Sequence, residues 1–183
     1  WSQSIIVSED FEAYTAGDLI AQSAGLPWST WSVSPGSSED AAVSNDQAFS
    51  GTNSLKVEGV AAGGPTDLIL RLGNRTSGTY VISWAMFVPS GFGGYFNFQH
   101  NEVPGNGSWM MDVTFAPDGS VEYLVNDTAT AGTYAQDEWF QLSMASALAA
   151  SVGLVASNGT PQYTWNTNSP GPSQLGGIDF FAY

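Results

Sequence analysis

The sequence predicts an all-β protein, a two-sheet antiparallel β-sandwich, on three observations. No segment of usable length repeats its apolar residues at helical spacing. Short alternating runs bounded by Gly, Pro, Asn or Asp recur along the chain. Two of the boundaries, Pro117-Asp118-Gly119-Ser120 and Asn158-Gly159, are hairpin turns in their own right. Asp-Gly and Asn-Gly tolerate the positive φ that tight hairpins require.

Taken in order, strands are expected at residues 5–12, 41–44, 54–58, 67–72, 79–88, 94–100, 108–115, 120–125, 139–145, 152–157, 162–165 and 176–183. The Asp-Gly turn joins WMMDVTFA to SVEYLVN, and the Asn-Gly turn joins VGLVAS to TPQYTW. Residues 144–156, MASALAASVGLVA, are alanine-rich and short of polar side chains. Propensity allows a short helix there, but the flanking WFQLSM and the later Asn-Gly favour two strands. Alternation sorts the faces. Trp109, Met111, Val113 and Phe115 are expected in the core, with Met110, Asp112 and Thr114 opposite. Phe96 and Phe98 are expected inward, leaving Tyr95, Asn97 and Gln99 on an amide-rich face. Arg71 joins that face if strand 67–72 lies in the same sheet.

The 183 residues suit a single domain spanning 1–183. At 43% apolar and 13% aromatic, the chain has the material for a sizeable core. Its formal net charge of -14 argues against nucleic acid and anionic membrane surfaces, which need a basic footprint. No apolar run approaches the length of a membrane span. Few cations, abundant Gly, Ser, Thr and Asn, and strong acidity suit a secreted or cell-surface location. The absence of cysteine does not exclude export for a domain of this size. Trp1-Ser-Gln lacks the basic start and apolar segment of a signal peptide, so the chain is expected to be a mature form.

The segment SEDFEAYTAGD places Glu9, Asp10, Glu12 and Asp18 in eleven residues, while the whole chain has only Lys56, Arg71 and Arg75 as cations. Crowded carboxylates raise one another's pKa unless something positive intervenes. A structural calcium ion is one answer, since calcium takes six to eight oxygen ligands. Asp10, Glu12 and Asp18 offer carboxylates, the loop 49–54 offers carbonyls and the Asn53 amide, and Asp179 closes the site if the first and last strands are neighbours. The plain alternative is a solvated acidic edge that discourages aggregation.

Other chemistries are poorly supported. His100 is the one histidine, there is no cysteine, and no Gly-x-Ser-x-Gly elbow or glycine-rich phosphate loop occurs. A glycosidase needs two facing carboxyls. Glu102, Asp112 and Glu122 are on central strands, but no Glu-x-Asp-x-x-Glu cluster occurs, and Asp137-Glu138 reads as a turn. Sugar binding suits the aromatics better, because sugar rings stack on flat faces and amides satisfy their hydroxyls. Tyr95, Asn97 and Gln99 fit that role, with Arg71 and Trp165 as further candidates. Trp84, Trp109 and Trp139 are assigned to packing, and Trp28 and Trp31 to one end of the sandwich. Four Asn-x-Ser/Thr triplets begin at Asn74, Asn106, Asn126 and Asn158, as chance allows in so Asn-, Ser- and Thr-rich a chain.

The ordered pieces EDFEAYTAGD, WSTWS, SGTNSLKV, PDGSVEY, DEWFQL and QLGGIDFFAY resemble the secreted jelly-roll domains of Bacteroidetes. These are concanavalin A-like (laminin-G-like) sandwiches, often cargo of type IX secretion. The resemblance covers nearly the whole chain and implies a jelly roll of that type. It also implies a C-terminal sorting domain removed on export, and partners among secretion-machinery or surface proteins. The chain is similar, too, to carbohydrate-binding jelly rolls with a structural calcium. That similarity implies Glu12, the backbone near Ser50 to Asn53, and Asp179 as ligands. The chain departs from the family after WFQL, where ASALAAS stands in place of an acidic segment. Asp127-Thr128-Ala129 resembles a Bacteroidetes O-glycosylation site, which implies a sugar on Thr128. The expectation is therefore a secreted, non-catalytic carbohydrate-binding domain with a structural calcium, its partner a polysaccharide or glycan. The alternatives are a surface structural, adhesive or secretion-passenger protein without its own ligand, and a glycoside hydrolase or lyase.

Overall fold

The computed structural model describes residues 4–103 and 109–182. Trp1-Ser-Gln, the Asn106 triplet, and the expected strand ends at Ser108 and Tyr183 lie outside the described residues. The chain forms a short helix α1 (Ile20–Ala24), strands β1 (Trp28–Thr30), β2 (Ala42–Ser44), β3 (Ser54–Lys56), β4 (Asp67–Arg75), β5 (Thr79–Phe87), β6 (Gly94–Gln99), β7 (Trp109–Phe115) and β8 (Ser120–Val125). It continues through β9 (Thr128–Thr133), β10 (Trp139–Ala147), a 3-10 turn (Leu148–Ala150), β11 (Val152–Ser157), β12 (Thr160–Asn166) and β13 (Leu175–Phe181). A seven-stranded sheet runs β1-β4-β13-β6-β7-β8-β9, a four-stranded sheet runs β12-β11-β10-β5, and β2-β3 form a small third sheet. Every pairing is antiparallel.

The two larger sheets close on an aromatic core. Phe96, Phe98 and Phe115 come from the seven-stranded sheet, and Phe140, Leu142, Met144 and Trp165 from the four-stranded one. Trp84 meets Phe96 edge-on at 5.0 Å, and Trp165 stacks on Phe98 at 6.3 Å. Each such buried side chain contributes about 1.5–3 kcal/mol relative to exposure. Alternation in β4 sends Leu68 and Leu70 into this core. Ile69, also buried, is not part of it and belongs to the opposite face.

Both anticipated turns form. Asn158 and Gly159 have φ of 47° and 76°, and the Asp118 carboxylate holds the Ser120 amide and hydroxyl at 3.0 and 2.6 Å. A third tight turn, Asn126-Asp127, has both residues at positive φ and folds β9 back on β8. In the sequence those residues stand out only as parts of glycosylation triplets, and β9 is not predicted. Thr128 is exposed at the start of that strand. Residues 144–156 do form two strands, the end of β10 and most of β11, separated by the 3-10 turn.

The strand expected at 5–12 does not form. The Glu9 carboxylate accepts the amides of Asp10 and Phe11, the Asp10 carboxylate accepts that of Glu12, and Phe11 has φ of 63°. These local bonds use donors that a sheet ladder would need. Trp109 is also corrected. A register shift between Phe98 and Gln99 places it opposite Gln99, where it is 51% exposed rather than in the core.

Candidate functional site: the outer face of the seven-stranded sheet

Three rows of side chains cross the face turned away from the core. The cross-strand partners Ile69, Asp179, Asn97 and Asp112 make one row. Asp67 pairs with Phe181, and Tyr95 with Thr114 and then Glu122, in a second row. Arg71, Gly177, Gln99 and Trp109 make the third. The chain puts them on one face because Asp67, Ile69 and Arg71 alternate along β4, Tyr95, Asn97 and Gln99 along β6, and Gly177, Asp179 and Phe181 along β13.

The middle of this face is enclosed. Asn97 is 1% exposed and Asp179 4% exposed. Asn97 Nδ2 donates to Asp179 Oδ2 at 2.7 Å and to the Tyr95 hydroxyl at 3.2 Å, while that hydroxyl donates to Asp112. Arg71 Nη2 donates to Ser29 Oγ at 3.2 Å. Trp31, Asp67, Tyr95, Asp179 and Phe181 line a shallow cavity of about 260 Å³ that is open to solvent. At one side the chain after β6 crosses β13 closely. A Cβ on Gly176 would lie 2.3 Å from the Asn101 carbonyl carbon, so only glycine admits the crossing. Glu102 secures it by accepting the Gly73 amide at 2.8 Å.

Among the described residues, five buried polar atoms of this face have no hydrogen-bond partner beyond the contact between the Asp67 and Asp179 carboxyls: Asp67 Oδ1, Arg71 Nε, Asn97 Oδ1, Gln99 Nε2 and Asp179 Oδ1. The set mixes donors and acceptors. Asp67 and Asp179 are diagonal neighbours within hydrogen-bonding reach of each other. Burial, reinforced by Asp67, holds the Asp179 carboxyl well above the ordinary carboxylate range. Burial raises Asp67 as well, against the hydrogen bond from Asp179. Burial also raises Asp112, which the Tyr95 hydrogen bond opposes. The Tyr95 hydroxyl is itself pushed far up by burial and by Asp112, and so stays protonated.

The structure places Tyr95, Asn97, Gln99 and Arg71 on one face of one sheet. Trp165 is corrected: it is on β12 in the other sheet, 5% exposed and packed in the core. The reading missed Asp67, Trp31 and Phe181, although alternation in DLILR and GGIDFF places Asp67 with Arg71 and Phe181 with Asp179. Which strands pair was the missing information. Of the glycosidase candidates, Asp112 and Glu122 share this face, and Glu102 is tied to Gly73.

The four expected calcium ligands do not converge. Asp10 and Glu12 sit in the N-terminal loop and Asn53 in the loop 49–54 packed against it, whereas Asp179 belongs to the outer face. Glu12 accepts the Thr52 amide at 2.9 Å, the Thr52 hydroxyl at 2.8 Å and the Asn53 amide at 2.7 Å, and these bonds hold its carboxyl below the usual range. Asn53 Nδ2 donates to the Phe11 and Tyr14 carbonyls. Protein donors thus hold Glu12 without a cationic side chain. Among the described residues no group of three or more His, Cys, Asp or Glu is arranged to hold a metal ion.

No protein-family model matches the chain, and no curated protein matches it. Solved structures do. A sialidase superposes with TM-score 0.60 at 13% identity, covering 92% of this chain, which spans only 15% of that sialidase's length. An alginate lyase superposes with TM-score 0.50 at 10% identity, covering 81% of this chain and 72% of the lyase. A sheep galectin-11 superposes with TM-score 0.46 at 13% identity, covering 62% of this chain and 90% of the galectin. At these identities the likeness shows the fold alone: an antiparallel sandwich of the jelly-roll, concanavalin A-like type.

Proposed function

We propose that the outer face of the seven-stranded sheet is a glycan-binding surface and that the protein binds carbohydrate without processing it. The observation that carries this reading is the set of five buried atoms on one face that, among the described residues, lack a partner or, for the two carboxyl oxygens, have only each other. A buried polar group left unmet costs about 1–3 kcal/mol, and native proteins leave few. A polyhydroxyl ligand supplies both missing donors and missing acceptors. The rings of Trp31, Tyr95, Phe181 and Trp109 provide apolar surfaces beside them. The sialidase and the alginate lyase, named for carbohydrate chemistry, have the same fold, which accords with this reading. A glycan array tests it: saturable binding to one glycan class, lost in a Gln99→Ala, Trp31→Ala variant, is expected. Binding that survives the variant discards the site, and no binding to any glycan favours a surface structural or secretion-passenger role.

A hydrolase or lyase is the second reading, favoured by the buried Asp67–Asp179 pair in an aromatic-lined cavity, since perturbed carboxyls cluster at catalytic sites. Release of new sugar ends from a bound polysaccharide, abolished by Asp179→Asn, would establish it. A calcium ion in the N-terminal loop is a subordinate proposal. It would draw on Asp10 and on backbone carbonyls of the loop, because Glu12 is largely engaged. A lower melting temperature after thorough chelation supports it, and an unchanged melt removes it. Secretion or surface display, by type IX export in a Bacteroidetes cell, and a sugar on the exposed Thr128 rest on the family resemblance. Cell fractionation and intact-mass measurement of the native protein test them. Among the described residues no helix is long and apolar enough to cross a membrane.

A further inference from the structure

We propose that the cavity between Asp67 and Asp179 takes an ammonium group, so that the glycan bound on this face is an amino-sugar polymer with free amines. The inference rests on the glycan-binding reading above and names the class of glycan. Three features of the cavity support it. Asp67 and Asp179 each carry a buried carboxyl oxygen that no N–H or hydroxyl outside the pair reaches among the described residues, so the two carboxyls have only each other, and Asp179 is 4% exposed on the cavity wall. A hydroxyl offers one proton, whereas an ammonium offers three and a full charge, matching two carboxyls at once. The remaining walls are the rings of Trp31, Tyr95 and Phe181, and aromatic rings attract a cation held over their faces.

Charge on the face points the same way. Asp67, Asp112, Asp179 and Glu122 lie on it with a single cation, Arg71, whose Nη2 already donates to Ser29. A uronate or sulfated polymer would meet net repulsion there, and a neutral polymer would leave two carboxyl oxygens competing for hydroxyl protons. Before the ligand arrives, the paired carboxyls hold one proton between them. Binding then exchanges it: the ammonium enters with its three protons, and the pair releases one to solvent. The groups facing the pair are Glu39 beside Asp67, Asp112 beside Asp179 through Tyr95 and Asn97, and Arg71 farther along β4. Apart from Arg71 they are acidic or neutral, so none supplies the counter-charge from close by.

Isothermal titration with a glucosamine hexamer and an N-acetylglucosamine hexamer tests the proposal on the intact chain. The glucosamine hexamer is expected to bind at least about tenfold more tightly, a difference of about 1.4 kcal/mol. Its affinity should rise with pH between roughly pH 5 and roughly pH 6, by up to about tenfold, as proton release predicts. Asp179→Asn and, separately, Asp67→Asn should abolish the preference for the glucosamine hexamer. Both substitutions keep side-chain shape, and melting curves confirm folding. Asp118→Asn, an exposed acid away from the face, controls for general attraction to an acidic protein. If Asp118→Asn weakens glucosamine binding as much as Asp179→Asn, the specific site is refuted. Equal affinity for the two hexamers refutes the amine preference and leaves glycan binding standing. Failure of every glycan to bind this face overturns both.

Discussion

Replacing Asp179 by Asn should change how stability depends on pH, in a direction the buried pair dictates. Asp179 sits 4% exposed beside Asp67, and burial holds its carboxyl above the ordinary range. In the unfolded chain a free aspartate gives up its proton near pH ~4. Above that pH the folded state therefore holds a proton that the unfolded state has lost. Stability then falls as pH rises, until the folded pair ionises too. One proton corresponds to a slope of at most about 1.4 kcal/mol per pH unit. For a chain of this length that is roughly 3–5 °C in Tm per unit. The Asn variant lacks that proton, so its Tm should gain on the wild type as pH rises from roughly pH 5 to roughly pH 7. Glu12, Asp46, Asp118 and Asp137, whose folded carboxyls are lowered by hydrogen bonds, stabilise above the usual carboxylate range and lose that contribution on acidification. Burial lowers the buried His100, which gives an opposing slope below its ordinary value. These groups are present in both proteins and cancel in the comparison. Circular dichroism melts of both proteins across that range are the assay. Parallel Tm curves would refute the proton-holding pair.

Three further outcomes follow from the fold. Trp165→Ala should cost about 3–5 kcal/mol in chemical denaturation, whereas Trp109→Ala, half exposed on the outer face, should cost less than about 1 kcal/mol. A reversed order would contradict the register shift in β7. Glu12→Ala removes the acceptor for the Thr52 and Asn53 amides, so hydrogen exchange at those two amides should accelerate while β6 and β13 stay protected. Gly176→Ala forces a Cβ into the Asn101 backbone, so it should lower Tm and weaken glycan binding together. A Tm equal to wild type would show that the crossing has room.

Much of the sandwich was legible because its strands alternate and its hairpins carry Asp-Gly and Asn-Gly. Strands β8 and β11 have the bounds that pattern predicts. The face carrying Tyr95, Asn97 and Gln99 was legible for the same reason, since a period of two needs no tertiary information. The alternation around Ile5 and Val7 lost to carboxylates that cap their own backbone, and Ile5 is left 84% exposed. Trp109 was misplaced because a one-residue bulge flips a side chain and leaves no mark in composition. Trp165 was assigned to a ligand face because nothing local reveals which sheet a strand joins. Asp179 was drawn toward Glu12 on the idea that first and last strands meet. Instead β13 inserts between β4 and β6, which brings Asp179 to Asp67 and Asn97.

The most direct test of the outer face as a ligand surface is a nuclear magnetic resonance titration with the best-binding glycan from the array. The side-chain amide signals of Asn97 and Gln99 report on the enclosed centre of the face. The account predicts that these signals, with the backbone amides of Arg71 and Asp179, move in a saturable manner, while β10, β11 and β12 stay fixed. Shifts confined to the four-stranded sheet or to the N-terminal loop, with Asn97 and Gln99 unmoved at saturation, would contradict it.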